Sequence, residues 1–457
     1  MKSTLKEILA ERERRAERRA ELLAEYKGAF LSLTLNIAGE AKAFPLARRC
    51  FDEEIRTVQL TLKAEHIPVF HQETSETNAG YAAFLCAGCD ARAIKSLAVH
   101  IEDTHPLGRL FDIDVFDADG VKLSRDDSPD GNNARPCLVC GGNAFACARS
   151  RAHPVDHVTG AALRIMRDFL RSQVKSRAEQ AALKAMLYEA AVTPKPGLVD
   201  RENNGAHDDM NFFTFIDSAA AVFSFFGDCA VVGFDSGEYT PPDALFDSLR
   251  APGRLAEEAM KEATGGVNTH KGVIFSLGVL SAAYGRLFAR GEAPVLDEIL
   301  KLAKDMTHGI LDDFSRGADD SHGMALHKRF GATGVRGEAS AGFPSVRAVY
   351  GIVREGILAG SAVLNGAGIA AFLRVLGGAE DTNIVSRAEK NAGAESGMET
   401  LARIQTDARD FLDTQPSAEM ILQKARELDV AFIAQNISPG GCADLLAAAF
   451  FLALLLV

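Results

Sequence analysis

The densest run of reactive side chains lies at the centre of the chain, in the segment PKPGLVDRENNGAHDDM at positions 194–210. Between its prolines and glycines stand Lys195, Arg201, His207 and Asp209. This composition predicts a loop, and the apolar run FFTFIDSAAAVFSFF that follows predicts a buried helix. Such side chains at the start of a buried helix can bind phosphates, hold a cation or move a proton. The alternative is that Asp208 or Asp209 only caps the helix.

Similar polar loops precede apolar helices further along the chain. TGGVNTHKG at 264–272 and SPGG at 438–441 each open an apolar run. A glycine-rich helix start offers free N–H groups and a positive dipole end to a phosphate, although helix capping would use the same residues. The spacing of a Walker A motif is absent. Together with two further polar segments, these loops supply the candidate residues Glu257, Asn268, His270, Lys271, Arg336, Ser438, Gly440, Gly441 and Asp444.

The first half of the chain has its own acidic motif, HPLGRLFDIDV at 105–115. Read as a strand, it places Asp112 and Asp114 on one face, where two carboxylates can hold a divalent cation against phosphate oxygens. Gly108 would let the backbone approach a phosphate, and Arg109 would neutralise its charge. A Gly…Asp-x-Asp pattern is used by nucleotidyltransferases. The alternative is an edge strand with a solvated acidic face.

A cysteine motif follows the acidic one. Cys137 and Cys140 form a Cys-x2-Cys pair, with Cys147 and His153 downstream. These four residues could form a Cys3His zinc knuckle, and a small cluster of thiols is the alternative. Arg149 lies in a local basic cluster that could hold a phosphorylated substrate or simply face solvent.

These motifs must be positioned by two different kinds of domain. Short runs at 30–37, 58–62 and 66–72 predict strands, so residues 1–174 are expected to form an α/β (α+β) domain. Almost every segment of residues 175–457 has a helical period, which predicts an all-α helical bundle. The first 26 residues predict a charged, exposed helix, and the C-terminal apolar run predicts a buried closing helix.

Composition narrows the class of protein. A net charge of −12 argues against general binding of nucleic acid or of an anionic membrane. The N-terminus lacks the apolar core of a signal peptide, and the C-terminal apolar run of about 13 residues is too short to span a bilayer. We therefore expect a cytoplasmic protein.

The motifs resemble two enzyme families. Residues from about 28 to 155 resemble apo-citrate lyase phosphoribosyl-dephospho-CoA transferase through HPLGRLFDIDV, LSR and the CLVC…CAR…H run. Residues from about 180 to 457 resemble triphosphoribosyl-dephospho-CoA synthase. Its motifs here are PKPGLVDRENNGAHDDMNFFTF, AEEAM, TGGVNTHKG, RGEA…GFP, DTN and SPGG…ADLLA. The whole chain is similar to a fused, bifunctional protein that makes and attaches the citrate lyase prosthetic group.

The resemblance implies two reactions. The helical half would join ATP to 3′-dephospho-CoA with loss of adenine. The other half, with a nucleotidyltransferase-like fold, would transfer phosphoribosyl-dephospho-CoA to a serine of the citrate lyase acyl carrier protein (gamma subunit), with release of pyrophosphate.

The implied chemistry gives each group of residues a role. Asp112 and Asp114 would hold Mg²⁺, while Lys195, Lys271 and Arg336 would act on phosphates. Asp209, Glu257 and Asp444 would hold Mg²⁺ or stabilise a ribosyl cation. His207 or His270 would donate a proton.

Two other functions remain open on the sequence. A non-catalytic assembly factor would bind dephospho-CoA without releasing adenine. A His/Asp metal phosphohydrolase would release phosphate from ATP alone, but His207-Asp208 has no second matching pair.

Overall fold

A computed structural model describes residues 3–26, 28–127, 135–237, 239–291, 294–314, 327–390 and 396–457. The chain divides into two compact units. The first comprises Met1–Gln173 with Arg290–Glu292, and we call it the sheet unit. The second comprises Val174–Ala289 and Ala293–Val457, and we call it the helical unit because all its described regular elements are helices.

The sheet unit contains a four-stranded antiparallel sheet of order β2-β3-β1-β4. Its strands are β1 (Ala29–Leu35), β2 (Val69–Thr77), β3 (Gly80–Ala87) and β4 (Phe111–Phe116). The helices of this unit are α1 (Leu5–Glu25), α2 (Pro45–Ala64), α3 (Ala91–Thr104), α4 (Ala144–Ser150) and the first part of α5 (Val155–Ala191). Mixed sheet and helix is the architecture that the sequence predicts for this half.

One predicted strand is wrong. Residues 58–62 lie inside α2, where Ile55, Val58 and Leu62 are buried at helical spacing. Helices α2 and α3 pack on β1, β3 and β4. They cover the sheet face to which Ile113 and Val115 contribute, and both of these side chains are buried. The branched residues of 58–62 therefore belong to a helix that packs on the sheet, and their β-propensity is overridden by tertiary packing.

The opposite face of the sheet is covered by α1, so the prediction that this helix is exposed is wrong in part. Leu22 is fully buried in a cluster with Phe30, Phe84 and Phe116. Arg18 also pairs with Glu73 of β2 at 2.8 Å. The helix looked exposed in the sequence because its charged residues far outnumber its apolar ones, yet long arginine stems can also cover a sheet.

The helical unit is built from the second part of α5 and a series of further helices. These are α6 (Phe212–Asp235), α7 (Pro242–Ala263), α8 (Lys271–Phe288), α9 (Leu296–Thr307), α10 (Gly334–Ala341), α11 (Pro344–Ala359), α12 (Ser361–Leu376), α13 (Thr382–Ala388), α14 (Gly397–Asp413), α15 (Ala418–Ala434) and α16 (Gly440–Leu455). Helix α16 is apolar on all sides and packs against α8, α11 and α12. The predicted buried closing helix is therefore confirmed.

Helix α6 packs against α7 and α8 within this unit. By length and composition alone it could also cross a membrane, and 44% of its most apolar stretch is buried inside the protein.

Candidate active sites

The helical unit contains a cavity of about 250 Å³ whose lining residues are mostly polar or charged, and we call it the polar cavity. Helix α8 begins at Lys271 and α16 at Gly440, and the first turns of both helices line it. The two helix starts lie very close together, because a Cβ atom on Gly272 would be 1.9 Å from Oδ2 of Asp444. A glycine is therefore required at position 272 for this approach.

His270 lies in the wall of the polar cavity and is only 1% exposed. Its Nδ1 is 2.7 Å from the Ser218 hydroxyl, which in turn accepts a hydrogen bond from Thr269. In the tautomer in which Ser218 donates to Nδ1, the ring proton is on Nε2. That Nε2 has no hydrogen-bond partner among the described residues. Burial lowers the pKa of His270 to about 3, so the ring is neutral near pH 7.

His207 lines the same cavity, but both of its ring nitrogens are occupied. Nε2 is 2.7 Å from the Ser438 hydroxyl, and Nδ1 is 3.1 Å from a guanidinium nitrogen of Arg387. A guanidinium can only donate, so Nδ1 must be unprotonated. Burial and the charge of Arg387 lower the pKa of His207, and the ring is held in a fixed tautomer.

Lys195 is 1% exposed, and its ammonium donates to the Glu189 carboxylate at 2.5 Å and to the Glu189 carbonyl at 2.9 Å. Both residues contribute to the wall of the polar cavity. Because of these contacts, the charge of Lys195 is already neutralised by a buried ion pair with Glu189. Burial raises the pKa of Glu189, although the lysine lies beside it and acts in the opposite direction.

Besides Glu189, two acidic side chains line this cavity in contrasting surroundings, namely Asp444 and Asp209. The carboxylate of Asp444 accepts the backbone N–H of Val273, in the first turn of α8. The surrounding protein raises the pKa of Asp444 well above its usual range, first through desolvation and then through Glu189 and Asp381. Asp209 is much more exposed, and one of its oxygens lies 3.6 Å from Nδ1 of His207.

A second cavity of about 510 Å³, the larger cavity, adjoins the first at Lys271, which lines both. Glu257 lies in the larger cavity and pairs with Lys271 at 3.2 Å. The walls of the larger cavity combine aromatic and basic side chains, namely Phe225, Phe246, Phe275, Arg250, Arg254, Lys261 and Arg336.

In the sheet unit, Asp112 and Asp114 share one face of β4 as the period of the strand predicts. Asp112 accepts a hydrogen bond from Thr34 at 3.3 Å, and Asp114 pairs with Lys122 at 2.6 Å. Burial and the neighbouring Asp114 raise the pKa of Asp112. Arg15 of α1 lies close enough to both carboxylates to interact with them electrostatically.

The loop before β4 is held by structural contacts. A Cβ atom on Gly108 would lie 2.3 Å from the Glu102 carbonyl, so this glycine is needed for packing against α3. Arg109 donates to the Pro136 carbonyl at 2.7 Å. Arg135 donates to the carbonyls of Gly108 and Phe111.

The four residues of the cysteine motif converge. One ligand atom from each of Cys137, Cys140, Cys147 and His153 lies within 4.8 Å of all the others. The thiol of Cys137 has its pKa lowered to about 6, because the backbone N–H groups of Cys140 and Val139 point at its sulfur. Arg149 is exposed on α4.

Comparison with known proteins assigns a family to each unit. A family model described as ATP:dephospho-CoA triphosphoribosyl transferase matches residues 175–457. Another, described as apo-citrate lyase phosphoribosyl-dephospho-CoA transferase, matches residues 3–169. A protein of Haemophilus influenzae named protein CitXG is 33% identical over 98% of this chain and 96% of its own length.

The chain belongs to both families. A second protein CitXG, from Leuconostoc mesenteroides subsp. cremoris, is 31% identical over 98% of this chain and 96% of its own length. A 2-(5''-triphosphoribosyl)-3'-dephosphocoenzyme-A synthase of Haemophilus ducreyi is 35% identical over 69% of this chain and 99% of its own length. This chain is thus a bifunctional transferase, with a transferase region followed by a synthase region, and the resemblance seen in its motifs is confirmed.

The structure distributes the sequence-predicted residues of the synthase region over two cavities. The polar cavity brings together Lys195, His207, Asp209, Asn268, His270, Lys271, Ser438, Gly440 and Asp444. Glu257 and Arg336 lie in the larger cavity. Gly441 has a packing role, since a Cβ atom there would lie 3.1 Å from Oδ2 of Asp381. Arg201 bonds Thr193 and Asn365 and is not among the residues that line either cavity.

One alternative from the sequence is overturned. Neither Asp208 nor Asp209 caps α6, because Asn211 is the N-cap and forms a capping box with Thr214. The two acidic residues lie too early in the chain to reach the first free N–H groups of the helix.

Sequence reasoning missed several residues at the polar cavity: Glu189, Asn383 and Arg387 line it, and Ser218 bonds His270 in its wall. Glu189 and Ser218 lie inside apolar helical runs, where a single polar residue resembles an ordinary helix surface position. The sequence did contain a signal for Glu189 and Ser218. Each lies in a stretch predicted to be buried, where a polar side chain needs a hydrogen-bond partner.

Proposed function

We propose that the synthase region catalyses the reaction of ATP with 3′-dephospho-CoA to give 2′-(5″-triphosphoribosyl)-3′-dephospho-CoA and adenine. The observation that carries this proposal is the buried Nε2 of His270, which has no partner among the described residues, in a cavity between two helix starts. Helix starts and Lys271 suit a polyphosphate, and a fixed neutral donor suits a departing base.

The bond changes assign roles to three residues. The 2′-hydroxyl oxygen of dephospho-CoA bonds to C1 of the ATP ribose, and the electrons of the ribose–adenine bond leave with adenine. Asp444, which lines the polar cavity beside the first turn of α8, takes the hydroxyl proton in its ionised form. Adenine takes up one proton from water as it leaves, and Asp444 passes the hydroxyl proton to water, so the reaction balances. His270 donates a hydrogen bond from Nε2 to the departing base, and the exposed carboxylate of Asp209 stabilises positive charge on the ribose.

His207 is less suited to the donor role. Its Nε2–H donates to Ser438, and its Nδ1 accepts from Arg387. We infer that it positions Ser438 at the start of α16. Of the two histidines proposed from the sequence as proton donors, His270 has the free nitrogen.

We assign the larger cavity to dephospho-CoA. Its aromatic walls suit an adenine ring or the pantetheine arm, and Arg254, Lys261 and Arg336 suit a diphosphate. Because Lys271 lines both cavities, the two substrates would meet beside it. Glu257 then holds Lys271 in place through their ion pair.

The transferase region would move phosphoribosyl-dephospho-CoA from this product to a serine of the citrate lyase acyl carrier protein (gamma subunit). The serine oxygen bonds to the phosphorus nearest the ribose, and pyrophosphate leaves. We propose a nucleotidyltransferase-like site around Asp112 and Asp114, with the basic Arg149 available to the acidic substrate. We place both reactions in the cytoplasm.

Magnesium would accompany the phosphates in both regions. Among the described residues, no three carboxylates come close enough to hold a metal ion by themselves. Proteins usually bind Mg²⁺ through one or two carboxylates plus substrate phosphates, so the pair Asp112/Asp114 fits such a site in the transferase region. In the synthase region the exposed carboxylate of Asp209 would share the ion with the substrate phosphates. When bound, the ion would neutralise phosphate charge.

The test is adenine release by the purified chain with ATP and Mg²⁺, with and without 3′-dephospho-CoA. We expect release only when 3′-dephospho-CoA is present, and His270→Ala should reduce it while leaving the circular dichroism spectrum unchanged. Glu258→Ala, an exposed acidic position next to Glu257 on α7, serves as the control variant. Equal adenine release in the wild type and His270→Ala would contradict the assigned donor role.

A further inference from the structure

The cysteine motif has the dimensions of a metal site. The sulfurs of Cys140 and Cys147 lie 3.6 Å apart, and Nε2 of His153 lies 3.3 Å from the sulfur of Cys140. Tetrahedral zinc, with Zn–S near 2.3 Å and Zn–N near 2.0–2.1 Å, places its ligand atoms roughly 3.5–3.8 Å apart. These two separations are close to this spacing, and all four ligand atoms lie within 4.8 Å of one another.

The backbone of the segment is folded to bring these ligands together. The N–H of Cys137 donates to the Gly142 carbonyl at 2.6 Å, and the N–H of Gly141 donates back to the Cys137 carbonyl at 3.0 Å. Gly141 has a φ of +72°, which closes this tight turn around the first two cysteines. Asn143 then caps α4, the short helix that carries Cys147.

The end of α4 returns the chain to the same point. Arg151 has a left-handed conformation with a φ of +51°, and the N–H of Ala152 bonds the Cys147 carbonyl at 3.0 Å. This reversal places the ring of His153 beside the sulfur of Cys140. Four ligands from three local elements therefore converge without help from distant parts of the chain.

The segment lacks the usual source of stability. None of residues 135–153 is buried, and Phe145 is 75% exposed. All eight cysteines of the chain are free, so no disulfide crosslinks it. A short, ordered segment with no apolar core commonly depends on a bound metal, whose binding free energy becomes folding free energy.

We propose that Cys137, Cys140, Cys147 and His153 bind one structural zinc ion. All four coordination positions are filled by the protein, which is typical of a structural site and leaves none open for catalysis. The soft sulfur ligands favour zinc over magnesium or calcium.

The site also supports the acidic strand. Arg135 donates to the carbonyls of Gly108 and Phe111 at 3.1 and 2.8 Å, and Phe111 precedes Asp112 directly. Arg109 bonds the Pro136 carbonyl in return. The zinc ion would thus stabilise the segment that holds the loop before β4 in place. Any effect of zinc on the transferase reaction rests on the proposed function of Asp112.

The test measures the metal itself. The full chain, purified under reducing conditions without added chelator, should contain one zinc ion per chain by elemental mass spectrometry. Cys140→Ser and His153→Ala should each reduce the zinc content towards background. Cys89→Ser is the matched control, because Cys89 is also partly exposed in the sheet unit but lies outside the cluster, and it should retain zinc.

Cobalt replacement checks the geometry independently. Co²⁺ added to the metal-free chain should give the visible absorption of tetrahedral cobalt with thiolate ligands in the wild type and in Cys89→Ser only. Wild-type protein without zinc, with iron in its place, or with a Cys140–Cys147 disulfide would overturn the proposal. So would equal zinc in Cys140→Ser and Cys89→Ser.

Activity separates this inference from the proposed function. Removal of zinc should reduce loading of the carrier protein by the transferase region and leave adenine release by the synthase region unchanged. If adenine release fails in the wild type, the synthase assignment fails while the zinc measurement still stands.

Discussion

At the scale of single residues, burial separates two histidines that look alike in the sequence. His207 is fixed by Arg387 and Ser438, whereas His270 has one free nitrogen facing the polar cavity. The desolvated His270 ring has a pKa near 3, so it can act only as a neutral donor at physiological pH.

We expect His270 to make the stability of the helical unit depend on pH. Its folded pKa is about 3 and its unfolded pKa about 6.5, so the unfolded state binds an extra proton as the pH falls below 6.5. Wild-type stability should therefore fall relative to His270→Gln by up to about 1.4 kcal/mol per pH unit between pH 6 and 4. Denaturant unfolding of both proteins across this range measures the difference. A constant difference between them would contradict a neutral buried ring.

Lys195 is a second residue for which the sequence leaves open whether the role is chemical or structural. The sequence assigns it to phosphate binding, but its ammonium is bonded to Glu189, and both side chains are almost fully buried. A buried ion pair contributes little net stability, although removing one partner leaves an uncompensated charge.

We expect Lys195→Met to destabilise the helical unit by about 3–5 kcal/mol, because Glu189 is left buried without its partner. The double variant Lys195→Met/Glu189→Met should recover most of this loss. Unfolding in denaturant gives the free energies for the single and double variants. If the double variant were as unstable as the single one, the pair would not account for the stability effect of Lys195.

At the scale of elements, the polar cavity depends on how closely two helices begin. The first turns of α8 and α16 meet at Gly272 and Asp444. A Cβ atom added to Gly272 would lie only 1.9 Å from Oδ2 of Asp444. The carboxylate also accepts an N–H group from the first turn of α8. Asp444 can hold its position only if residue 272 has no side chain.

Gly272→Ala should therefore displace Asp444 and reduce adenine release by about 100-fold, since a shift of about 1 Å at a reacting group can have this effect. Gly351→Ala in α11 is the control, because a Cβ atom there meets nothing within 4 Å. The control should keep full activity and gain about 0.5–1 kcal/mol of stability from helix propensity. Comparable activity of both variants would show that the contact is not needed.

At the scale of the whole molecule, each unit carries its own cluster of functional residues. The carboxylates of β4 and the cysteine motif belong to the sheet unit, and both the polar cavity and the larger cavity belong to the helical unit. The match to the transferase family ends at residue 169, and the match to the synthase family begins at residue 175.

We expect the two reactions to be separable by single substitutions. Asp112→Asn should abolish loading of the carrier protein and leave adenine release intact, because Asp112 lies on β4 of the sheet unit. His270→Ala should do the reverse, and supplying the triphosphoribosyl product should restore loading. Each variant is measured in both assays. Loss of both activities in either variant, with the fold retained, would contradict independent sites.

Much of this organisation could be predicted from the sequence. Period-two spacing placed Asp112 and Asp114 on one face, and glycine-rich segments before apolar runs located the starts of α8 and α16. These features are local, since they depend on residues a few positions apart. The same is true of the cysteine motif, whose ligands lie within a single short segment.

Features that depend on residues distant in the chain could be seen only in the folded protein. Helix α1 looked exposed because its own charges dominate, and the sheet that buries Leu22 is formed elsewhere in the chain. Ser218, the partner of His270, lies 52 positions away in the chain, and Arg387, a partner of His207, lies 180 positions away. The residue types, the helix starts and the family thus follow from the amino-acid sequence alone. The choice between chemistry and structure at each position depended on burial and on partners far away in the chain, because both arise only when helices pack.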